Sequence, residues 1–319
     1  MQLKTVVLDA DFCREELETC QHPEKLQREE KTVSSREIID WIEQIKKDYA
    51  VINMSGYRND HPQAERVQSF FLGNGIRKEN ALFISDKRQA LLAAGNLNIA
   101  ILACELSAQE GEGFPMVAER VWENDNDFLL KCYQREHKLP WEILRTEHLI
   151  LREEWEEDLD RIYAMYEQPH ITKFLEPPFP ERERELEYIK KYRCYVYCYY
   201  GFGLWHVIDK QTGLSAGRAG LNPKTYSDGV SGVELGYMIV EPFLQRGYCM
   251  EICEAILRYA KDVLEISEVY CLIRPDNKIS IHIAEKLGFQ FDQQIEDSER
   301  LMFRYIKPLQ LDTKLGIIK

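Results

Sequence analysis

The segment from residue 233 to residue 251 constrains the fold of this chain more than any other. Val233–Val240 is rich in β-branched, aliphatic and aromatic side chains, which predicts a strand. Pro242 has no N–H to donate and therefore ends the strand ladder. From Met250 onward, apolar residues recur at helical spacing. The sequence thus predicts a strand that passes through a short turn, residues 245–249, into a helix.

A strand, turn and helix in this order can hold a phosphate group. The first turn of a helix has N–H groups without intrahelical acceptors and carries the positive end of the helix dipole. Gly247 in the turn lets a ligand approach the backbone closely. A plain connection between a strand and a helix would look the same, so the interpretation depends on the residues that follow.

A second strand and helix follow. The apolar run Val269–Ile273 predicts the strand, and residues 277–289 predict the helix and its end. Together the two blocks resemble the GCN5-related N-acetyltransferase (GNAT) family. The family patterns are roughly E-x-G-Y-x-[IV], a pyrophosphate turn [QR]-x-x-G-x-[GA], and N-x-x-[AS] leading to E-K-x-G-F. The matching residues are Glu234, Gly236, Tyr237, Gly247, Asn277, Ser280, Glu285, Lys286, Gly288 and Phe289.

The resemblance covers about residues 144–306 and implies a mixed-sheet α+β domain that transfers an acetyl group from acetyl-CoA to a primary amine. The chain departs from the pattern at Leu244, where Gln or Arg is usual, and at Cys249, where Gly or Ala is usual. Neither departure removes a backbone N–H. The implied cofactor-binding residues are Ile239, Val240, Gln245, Arg246, Gly247, Tyr248, Cys249, Met250, Asn277 and Ser280.

Acetyl transfer requires that the amine lose its proton, so a base or a water path must accept it. Glu234 stands where the family often places its base, although it is equally compatible with a salt-bridged strand residue. Ala284 occupies the position where many family members have a tyrosine that acts as the acid. The resemblance suggests Ser280 and Asn277 as substitutes that would assist the leaving thiolate, although Ser280 is also compatible with a residue that caps or packs the helix. His282 fits a surface or packing residue better than a catalytic one.

The start of this region carries a finer resemblance. Thr146–Arg152 looks like the T-E-R-L-x-L-R opening of the GNAT subgroup that contains the ribosomal-protein alanine acetyltransferases. Residues 155–168 and 181–192 predict helices, and the intervening loop, residues 177–180, either forms a wall of the substrate site or is a plain turn. Residues 195–208, rich in Tyr and Phe, predict a strand or hairpin.

The N-terminal part of the chain alternates strand and helix patterns, which predicts βαβ units and a parallel sheet. The strands are predicted at residues 3–8, 50–54, 81–84 and 99–102. Polar residues follow three of them: Asp9, Asp11, Ser55 and Asp86. Because sites in parallel sheets lie beyond the carboxyl ends of the strands, we expect these side chains to converge.

That set resembles the haloacid dehalogenase (HAD) phosphatase superfamily over about residues 3–122. The resemblance implies that Asp9, Asp11 and Asp86 bind Mg²⁺ if the domain is active. His61 stands where the family has a lysine, Ala90 where it has a second acid, and Cys13 where Thr is frequent. Phosphoryl transfer needs a fixed cation and metal ligands, so these losses predict a degenerate domain with little or no phosphatase activity.

We therefore expect two domains. Residues 1–140 are predicted to form an α/β domain with a HAD-like, Rossmannoid parallel sheet, and residues 141–319 a GNAT domain with an α+β mixed sheet. The length of 319 residues agrees with this number of domains.

Composition restricts the partners. The net charge of −13 argues against general nucleic-acid binding, which needs a basic surface. No run of about 18 apolar residues is present, which predicts a cytoplasmic protein without a membrane span. The nine cysteines are interpreted as reduced structural residues, in line with that compartment. The expected partner is a small-molecule or peptide amine, and the oligomeric state stays open.

Three functions are compatible with the sequence. The first is an N-acetyltransferase for an unidentified primary amine. The second is a Mg²⁺-dependent phosphatase of the HAD type with an accessory acetyl-CoA-binding domain. The third is a protein that binds acetyl-CoA without turnover. The acetyltransferase is favoured because its motifs are nearly complete, whereas the phosphatase set lacks its lysine and second acid.

Overall fold

The computed structural model describes residues 2–11, 33–54, 57, 62–297 and 299–310. The chain forms two compact units, residues 1–141 and residues 142–319. Each unit has its own sheet. None of the helices in these described ranges is long and apolar enough to cross a membrane.

The N-terminal unit is built on a five-stranded sheet in the order β2-β1-β3-β4-β5, with every neighbouring pair parallel. The strands are β1 (Thr5–Asp9), β2 (Ala50–Asn53), β3 (Ala81–Ser85), β4 (Ala100–Cys104) and β5 (Val117–Ala118). The helices are α1 (Val33–Ile45), α2 (Gln63–Gly73), α3 (Arg88–Asn96), α4 (Ala108–Gly111) and α5 (Asn126–Glu136). Short 3₁₀ turns lie at Lys78–Asn80 and Val121–Glu123.

Both faces of this sheet are covered, which explains why its strands are apolar throughout. Side chains alternate along β1, so Val6 and Leu8 pack with residues of α1 and α5, such as Trp41. Val7 points to the other face and packs with α2 and α3, for example with Phe71. Because the strands are parallel, the polar residues that follow them lie together at the carboxyl ends of the strands.

The C-terminal unit contains an eight-stranded mixed sheet in the order β12-β13-β11-β10-β9-β8-β7-β6. Its strands are β6 (Glu142–Arg145), β7 (Leu149–Arg152), β8 (Leu204–Asp209), β9 (Ser215–Thr225), β10 (Ser231–Ile239), β11 (Glu268–Ile273), β12 (Gln290–Asp297) and β13 (Arg300–Pro308). Its helices are α6 (Leu159–Tyr166), α7 (Pro169–Thr172), α8 (Arg182–Tyr192), α9 (Cys198–Tyr200), α10 (Tyr248–Asp262) and α11 (Lys278–Lys286). A 3₁₀ turn lies at Glu156–Asp158 and a π-helical turn at Arg193–Tyr197.

One strand pair in this sheet differs from the others. β10 and β11 are parallel and, within the described residues, are registered only at Glu234 and Tyr270. All other neighbouring strands are antiparallel and paired over longer stretches. Beyond Glu234 the two strands therefore diverge and leave a gap in the sheet.

The predicted fold class, a parallel α/β sheet followed by a mixed sheet, is confirmed.

The prediction of a strand or hairpin over residues 195–208 was wrong at its start. The chain continues from α8 through Arg193–Tyr197 in helical geometry, and β8 begins only at Leu204. Two tyrosines of this region, Tyr192 and Tyr197, form hydrogen bonds to the first residue of β8. The hydroxyl of Tyr192 accepts a hydrogen bond from the Leu204 N–H at 2.8 Å, and that of Tyr197 donates one to the Leu204 carbonyl. A short aromatic run alone does not distinguish a buried helix from a strand.

Candidate functional site

A cleft of about 380 Å³ lies where β10 and β11 diverge. It is lined by residues from both strands, from α11, and from the segment around α7. Where a strand has no neighbour on one side, the backbone groups that point to that side need another hydrogen-bonding partner. The gap is therefore suited to an extended ligand that lies along the exposed strand edges.

One side of the cleft carries α10 and α11, and we call it the cofactor face. Tyr237 of β10 points to this side, because its hydroxyl donates to the Ser280 carbonyl of α11 at 3.3 Å. Asn277 caps α11: its side-chain oxygen accepts from the Ser280 N–H at 3.2 Å. Cys249 from α10 and Cys271 from β11 contribute thiols to the cleft lining. This face is polar where the helix starts and apolar deeper in.

The turn between β10 and α10 has the geometry that the sequence predicted for phosphate binding. Gln245 and Gly247 have left-handed backbone conformations, with φ of 61° and 81°. Gly247 is the N-cap residue of α10, a helix of 15 residues. A Cβ atom at Gly247 would meet no atom within 4 Å, so open space lies in front of the helix start. An anion there would face the N–H groups of the first helical turn.

The predicted cofactor-binding residues fall into three groups. Four of them line the cleft with Glu234: Ile239, Cys249, Asn277 and Ser280. The turn residues Gln245, Arg246 and Gly247 are exposed at the helix start.

Three of the predicted cofactor contacts can be made only by the backbone or not at all. Tyr248 is buried, and its hydroxyl donates to Asp209 Oδ2 at 2.6 Å. Met250 packs against the hydrophobic core. Val240 is buried as well, and its N–H donates to the Ala216 carbonyl at 3.0 Å within the sheet. The side chains of these residues therefore serve the core rather than a ligand.

Glu234 lies on the opposite side of the sheet from Tyr237. It is registered with Asn222 of β9, whose side-chain oxygen accepts a hydrogen bond from Tyr192 of α8 at 2.7 Å. Side chains two apart on a strand share a face, and a Cβ atom at Gly236 would likewise point towards Asn222. Glu234 thus faces the side of the sheet that carries α8, which we call the acceptor face.

The carboxylate of Glu234 is largely buried. Its Oε2 lies 3.5 Å from the Lys224 ammonium, which also contacts Asp297 at 3.0 Å. No donor in the part of the chain that the structure describes forms a hydrogen bond to this oxygen. Burial raises the pKa of Glu234 above its usual range, and Lys224 opposes that shift. The residue is therefore both ion-paired and a proton acceptor of increased affinity.

A segment that the motifs did not indicate bridges the two diverging strands on the acceptor face. We call residues 168–175 the bridging segment. Gln168 accepts a hydrogen bond from the Glu241 N–H at 3.0 Å, and His170 Nε2 lies 3.2 Å from the Ile239 carbonyl oxygen. On the other side, Arg274 donates to the Lys173 carbonyl at 2.8 Å. The segment thus connects the end of β10 with the end of β11.

The loop at residues 177–180, for which a wall of the substrate site and a plain turn were both open, does not form the wall, which lies earlier in the chain. His170, Ile171, Phe174 and Leu175 line the cleft, whereas residues 177–180 do not. Phe179 instead packs edge-on against Tyr188 with ring centroids 6.0 Å apart. His282 is exposed on α11 and does not line the cleft, and Ala284 is buried in the core.

The N-terminal unit has a second polar cluster, at the carboxyl ends of β1 and β3. Asp9 is fully buried, and each of its carboxylate oxygens accepts a hydrogen bond from one terminal nitrogen of Arg66 at 3.1 Å. Lys87 contacts Asp11 at 2.9 Å and Asp9 at 3.5 Å. The Asp11 N–H donates to Asp86 at 2.6 Å. The expected convergence of Asp9, Asp11 and Asp86 occurs, but around two cations.

This cluster does not fit Mg²⁺. Both oxygens of Asp9 are engaged by a guanidinium, and no group of three His, Cys, Asp or Glu side chains among the described residues is placed to hold a metal ion. Burial raises the pKa of Asp86, which further weakens it as a metal ligand. Ser55, His61 and Cys13 lie outside the described residues, and Ala90 is buried in α3.

Removal of Arg66 should destabilise the protein by about 3–5 kcal/mol, because Arg66→Ala removes the cation that holds both oxygens of the buried Asp9 carboxylate and leaves it only Lys87 at 3.5 Å. Exposed Arg77 is the matched control, and Arg77→Ala should change the free energy of unfolding by less than about 0.5 kcal/mol. Urea unfolding of both variants measures the difference. Equal stabilities would show that the ion pair with Asp9 does not hold this edge of the sheet together.

Comparison with known proteins places these observations in a family context. Residues 148–290 match the family described as acetyltransferase (GNAT) domain. The uncharacterized protein YkkB of Bacillus subtilis (strain 168) is 34% identical over 96 residues, which are 30% of this chain and 55% of YkkB. The uncharacterized N-acetyltransferase p20 of Bacillus licheniformis is 25% identical over 166 residues, 52% of this chain and 92% of p20.

Two solved structures are also similar to part of this chain. A putative GNAT-family acetyltransferase from Bordetella pertussis has 19% sequence identity and a TM-score of 0.46, over 52% of this chain and 99% of the other. A putative ribosomal-protein-serine acetyltransferase from Vibrio cholerae has 16% identity and a TM-score of 0.44, over 53% of this chain and 98% of the other.

Proposed function

We propose that the protein transfers an acetyl group from acetyl-CoA to a primary amine, on the premise that residues 148–290 match the acetyltransferase (GNAT) domain. The observation that carries the proposal is the cleft between β10 and β11. It begins at a helix N-terminus suited to a phosphate and ends at a buried carboxylate, Glu234, on the other face of the sheet. Acetyl-CoA supplies the acetyl group as a thioester.

We propose that the chain holds the pyrophosphate with the backbone N–H groups of residues 246–250 and admits the pantetheine arm along β10. The geometry that supports this is the open space at Gly247 and the unpaired edge of β10 beyond Glu234. Asn277 and Ser280 line the same face and are placed to contact the thioester end. Ser280 is proposed to donate to the leaving sulfur.

We propose Glu234 as the proton acceptor for the amine, directly or through a water molecule. It lines the cleft, its Oε2 accepts no hydrogen bond in the described chain, and burial raises its pKa. A base whose pKa lies closer to neutrality accepts a proton more readily than a free carboxylate. The rival mechanism, in which binding of both reactants side by side supplies the rate, leaves Glu234 with a structural role only.

The finer resemblance of Thr146–Arg152 bears on the acceptor. Because of this resemblance, the N-terminal amine of a protein is a candidate acceptor, as are free small amines. Both carry a primary amine that must enter by the acceptor face, because the cofactor face is taken by the thioester.

Gly247→Glu should weaken acetyl-CoA binding at least about tenfold, because the new carboxylate would stand where the pyrophosphate is proposed to lie. The wild-type protein at 100 times its dissociation constant should be stabilised by about 2.7 kcal/mol. Thermal unfolding with and without acetyl-CoA measures both quantities.

Gly201→Glu is the matched control for that variant. Gly201 also has a left-handed backbone, with φ of 72°, and a Cβ atom there would meet no atom within 4 Å. It should suffer the same strain and added charge while binding acetyl-CoA normally. Unaltered binding in Gly247→Glu would refute the assignment of the turn.

Glu234→Gln should lower kcat by about 10²–10⁴-fold, the usual contribution of a general base, and leave acetyl-CoA affinity unchanged. In the wild type, activity should rise with pH as Glu234 loses its proton. This rise is the acidic limb of the pH–rate profile, and it should be absent from the variant. A near-normal kcat with an unchanged profile would remove Glu234 from the mechanism. Ser280→Ala should cost less, because a thiolate already leaves readily.

Lys224→Met should move the acidic limb to higher pH. The ammonium lies 3.5 Å from Glu234 and opposes the rise of its pKa, so its loss makes the carboxylate harder to ionise. Lys191 is exposed on α8, and Lys191→Met serves as the control for a lost positive charge. If both variants showed the wild-type limb, some other group would be titrating.

For the N-terminal unit we propose a HAD-like domain that lacks phosphatase activity. The support is the guanidinium of Arg66 on both oxygens of Asp9, the residue that would have to act as nucleophile. We expect no Mg²⁺-dependent hydrolysis of p-nitrophenyl phosphate by the full chain. Steady hydrolysis that is lost in Asp9→Asn would instead support the alternative of a phosphatase with an accessory acetyl-CoA-binding domain.

A further inference from the structure

The acceptor face of the cleft has an apolar lining that surrounds one buried carboxylate. We call this part of the cleft the acceptor pocket. It is lined by Glu234, Ile171, Phe174, Leu175, Leu272 and Met302.

The position of these residues follows from strand alternation. Leu272 and Met302 pack in a small cluster with Tyr226 and Tyr270. Tyr270 of β11 is the residue registered with Glu234 of β10. Cys271, the residue between Tyr270 and Leu272, points the other way and packs in the main core with α10. Leu272 and Met302 therefore share the face of Glu234 and not the cofactor face.

The bridging segment contributes Ile171, Phe174 and Leu175 to the wall of the pocket. Ile171 is buried, Phe174 is partly exposed, and Leu175 lies at the rim with 39% of its surface exposed. An amine whose nitrogen reaches Glu234 must therefore place the rest of its body against aliphatic and aromatic side chains. Water would be displaced from that surface, which favours an apolar substituent.

The charges around the pocket do not suit an acceptor with several ammonium groups. Among the described residues that line the cleft, Glu234 and Glu241 are the carboxylates, and Glu241 lies beyond the end of β10, past Ile239. Two cations lie beside Phe174 near the rim: the Lys173 ammonium is 4.7 Å and the Arg274 guanidinium 5.4 Å from its ring. A second ammonium would meet these cations.

Few hydrogen-bonding side chains among the described residues line this side of the cleft. Apart from Glu234 they are His170, whose Nε2 lies 3.2 Å from the Ile239 carbonyl oxygen, and Arg274, which pairs with Asp276. A hydroxyl-rich acceptor would have to leave buried hydroxyls unpaired, at a cost for each of them. Polyamines and aminoglycosides are therefore both disfavoured by the same lining.

We propose that the acceptor is a primary amine with a single positive charge, attached to an apolar or aromatic body. This inference rests on the proposed acetyltransferase function and specifies its substrate class. The chemistry is shared by free arylalkyl or alkyl amines and by peptides that begin with an apolar residue. The two sources are distinguished by the arms of the experiment.

The experiment measures kcat/KM with acetyl-CoA for four acceptors: 2-phenylethylamine, methylamine, spermidine and the dipeptide phenylalanyl-alanine amide. We expect 2-phenylethylamine to exceed methylamine and spermidine by at least about tenfold, since burial of an apolar group gives discrimination of this size. The dipeptide shares the phenyl group, and its rate relative to 2-phenylethylamine tells whether a following peptide bond is accepted.

Three variants test the lining itself. Met302→Ala should reduce the preference for 2-phenylethylamine over methylamine about tenfold, whereas Leu301→Ala, at the neighbouring exposed position of β13, should not change it. Leu175→Asp adds a carboxylate at the rim without burying it. It should raise the activity on spermidine relative to 2-phenylethylamine, again by about tenfold.

The outcomes separate this inference from the function beneath it. Acetylation of amines with spermidine or methylamine preferred would overturn the inference and leave the acetyltransferase function intact. A preference for 2-phenylethylamine that Met302→Ala and Leu301→Ala leave equally unchanged would overturn the assignment of the pocket. Binding of acetyl-CoA without acetylation of any of the four amines would overturn both proposals.

Discussion

The single point of registry between β10 and β11 determines how the rest of the C-terminal unit is arranged. If Glu234 and Tyr270 were the start of a full parallel ladder, the sheet would be closed and no ligand could reach its middle. Divergence beyond that point leaves strand edges with unpaired backbone groups, which require another partner. In the described structure the bridging segment satisfies two of them, at Ile239 and Glu241. The carboxylate at the apex of the gap is the proposed base, so the opening and the chemistry have the same origin.

The parts of this site that could be predicted are those that are local in sequence. The strand, turn and helix around Gly247 are contiguous in sequence, from Ser231 to Asp262, so period and glycine placement were enough to predict them. Residues 148–290 match the acetyltransferase (GNAT) domain that the motifs indicated. The bridging segment could not be found in this way. His170 contacts Ile239 over 69 positions, and Arg274 reaches Lys173 over 101. Such contacts depend on how α7 crosses the sheet, which neither composition nor periodicity encodes.

The N-terminal unit shows the same limit with a chemical consequence. The convergence of Asp9, Asp11 and Asp86 follows from parallel strands that end at one edge, and it was predicted from the sequence. Arg66 was not, because on α2 it reads as an ordinary charged residue of a helix surface. Its guanidinium occupies both oxygens of Asp9, and Lys87 pairs with Asp11 at 2.9 Å. Arg66, which is distant in sequence from Asp9, thus engages the buried carboxylate that a metal site would need.

Glu234 raises the related question of how a buried carboxylate can be a base at all. Burial alone favours the protonated form, and a protonated Glu234 could not accept a proton from an amine. Lys224 opposes that effect at 3.5 Å, but a tight ion pair would favour the ionised form too strongly and lower its basicity. The ammonium is shared with Asp297 at 3.0 Å, so it supports Glu234 at longer range than it does its closer partner. The two influences on the Glu234 pKa therefore oppose each other, and burial prevails. A carboxylate whose pKa is raised is a stronger base once it is ionised, which is what general-base catalysis requires of this residue.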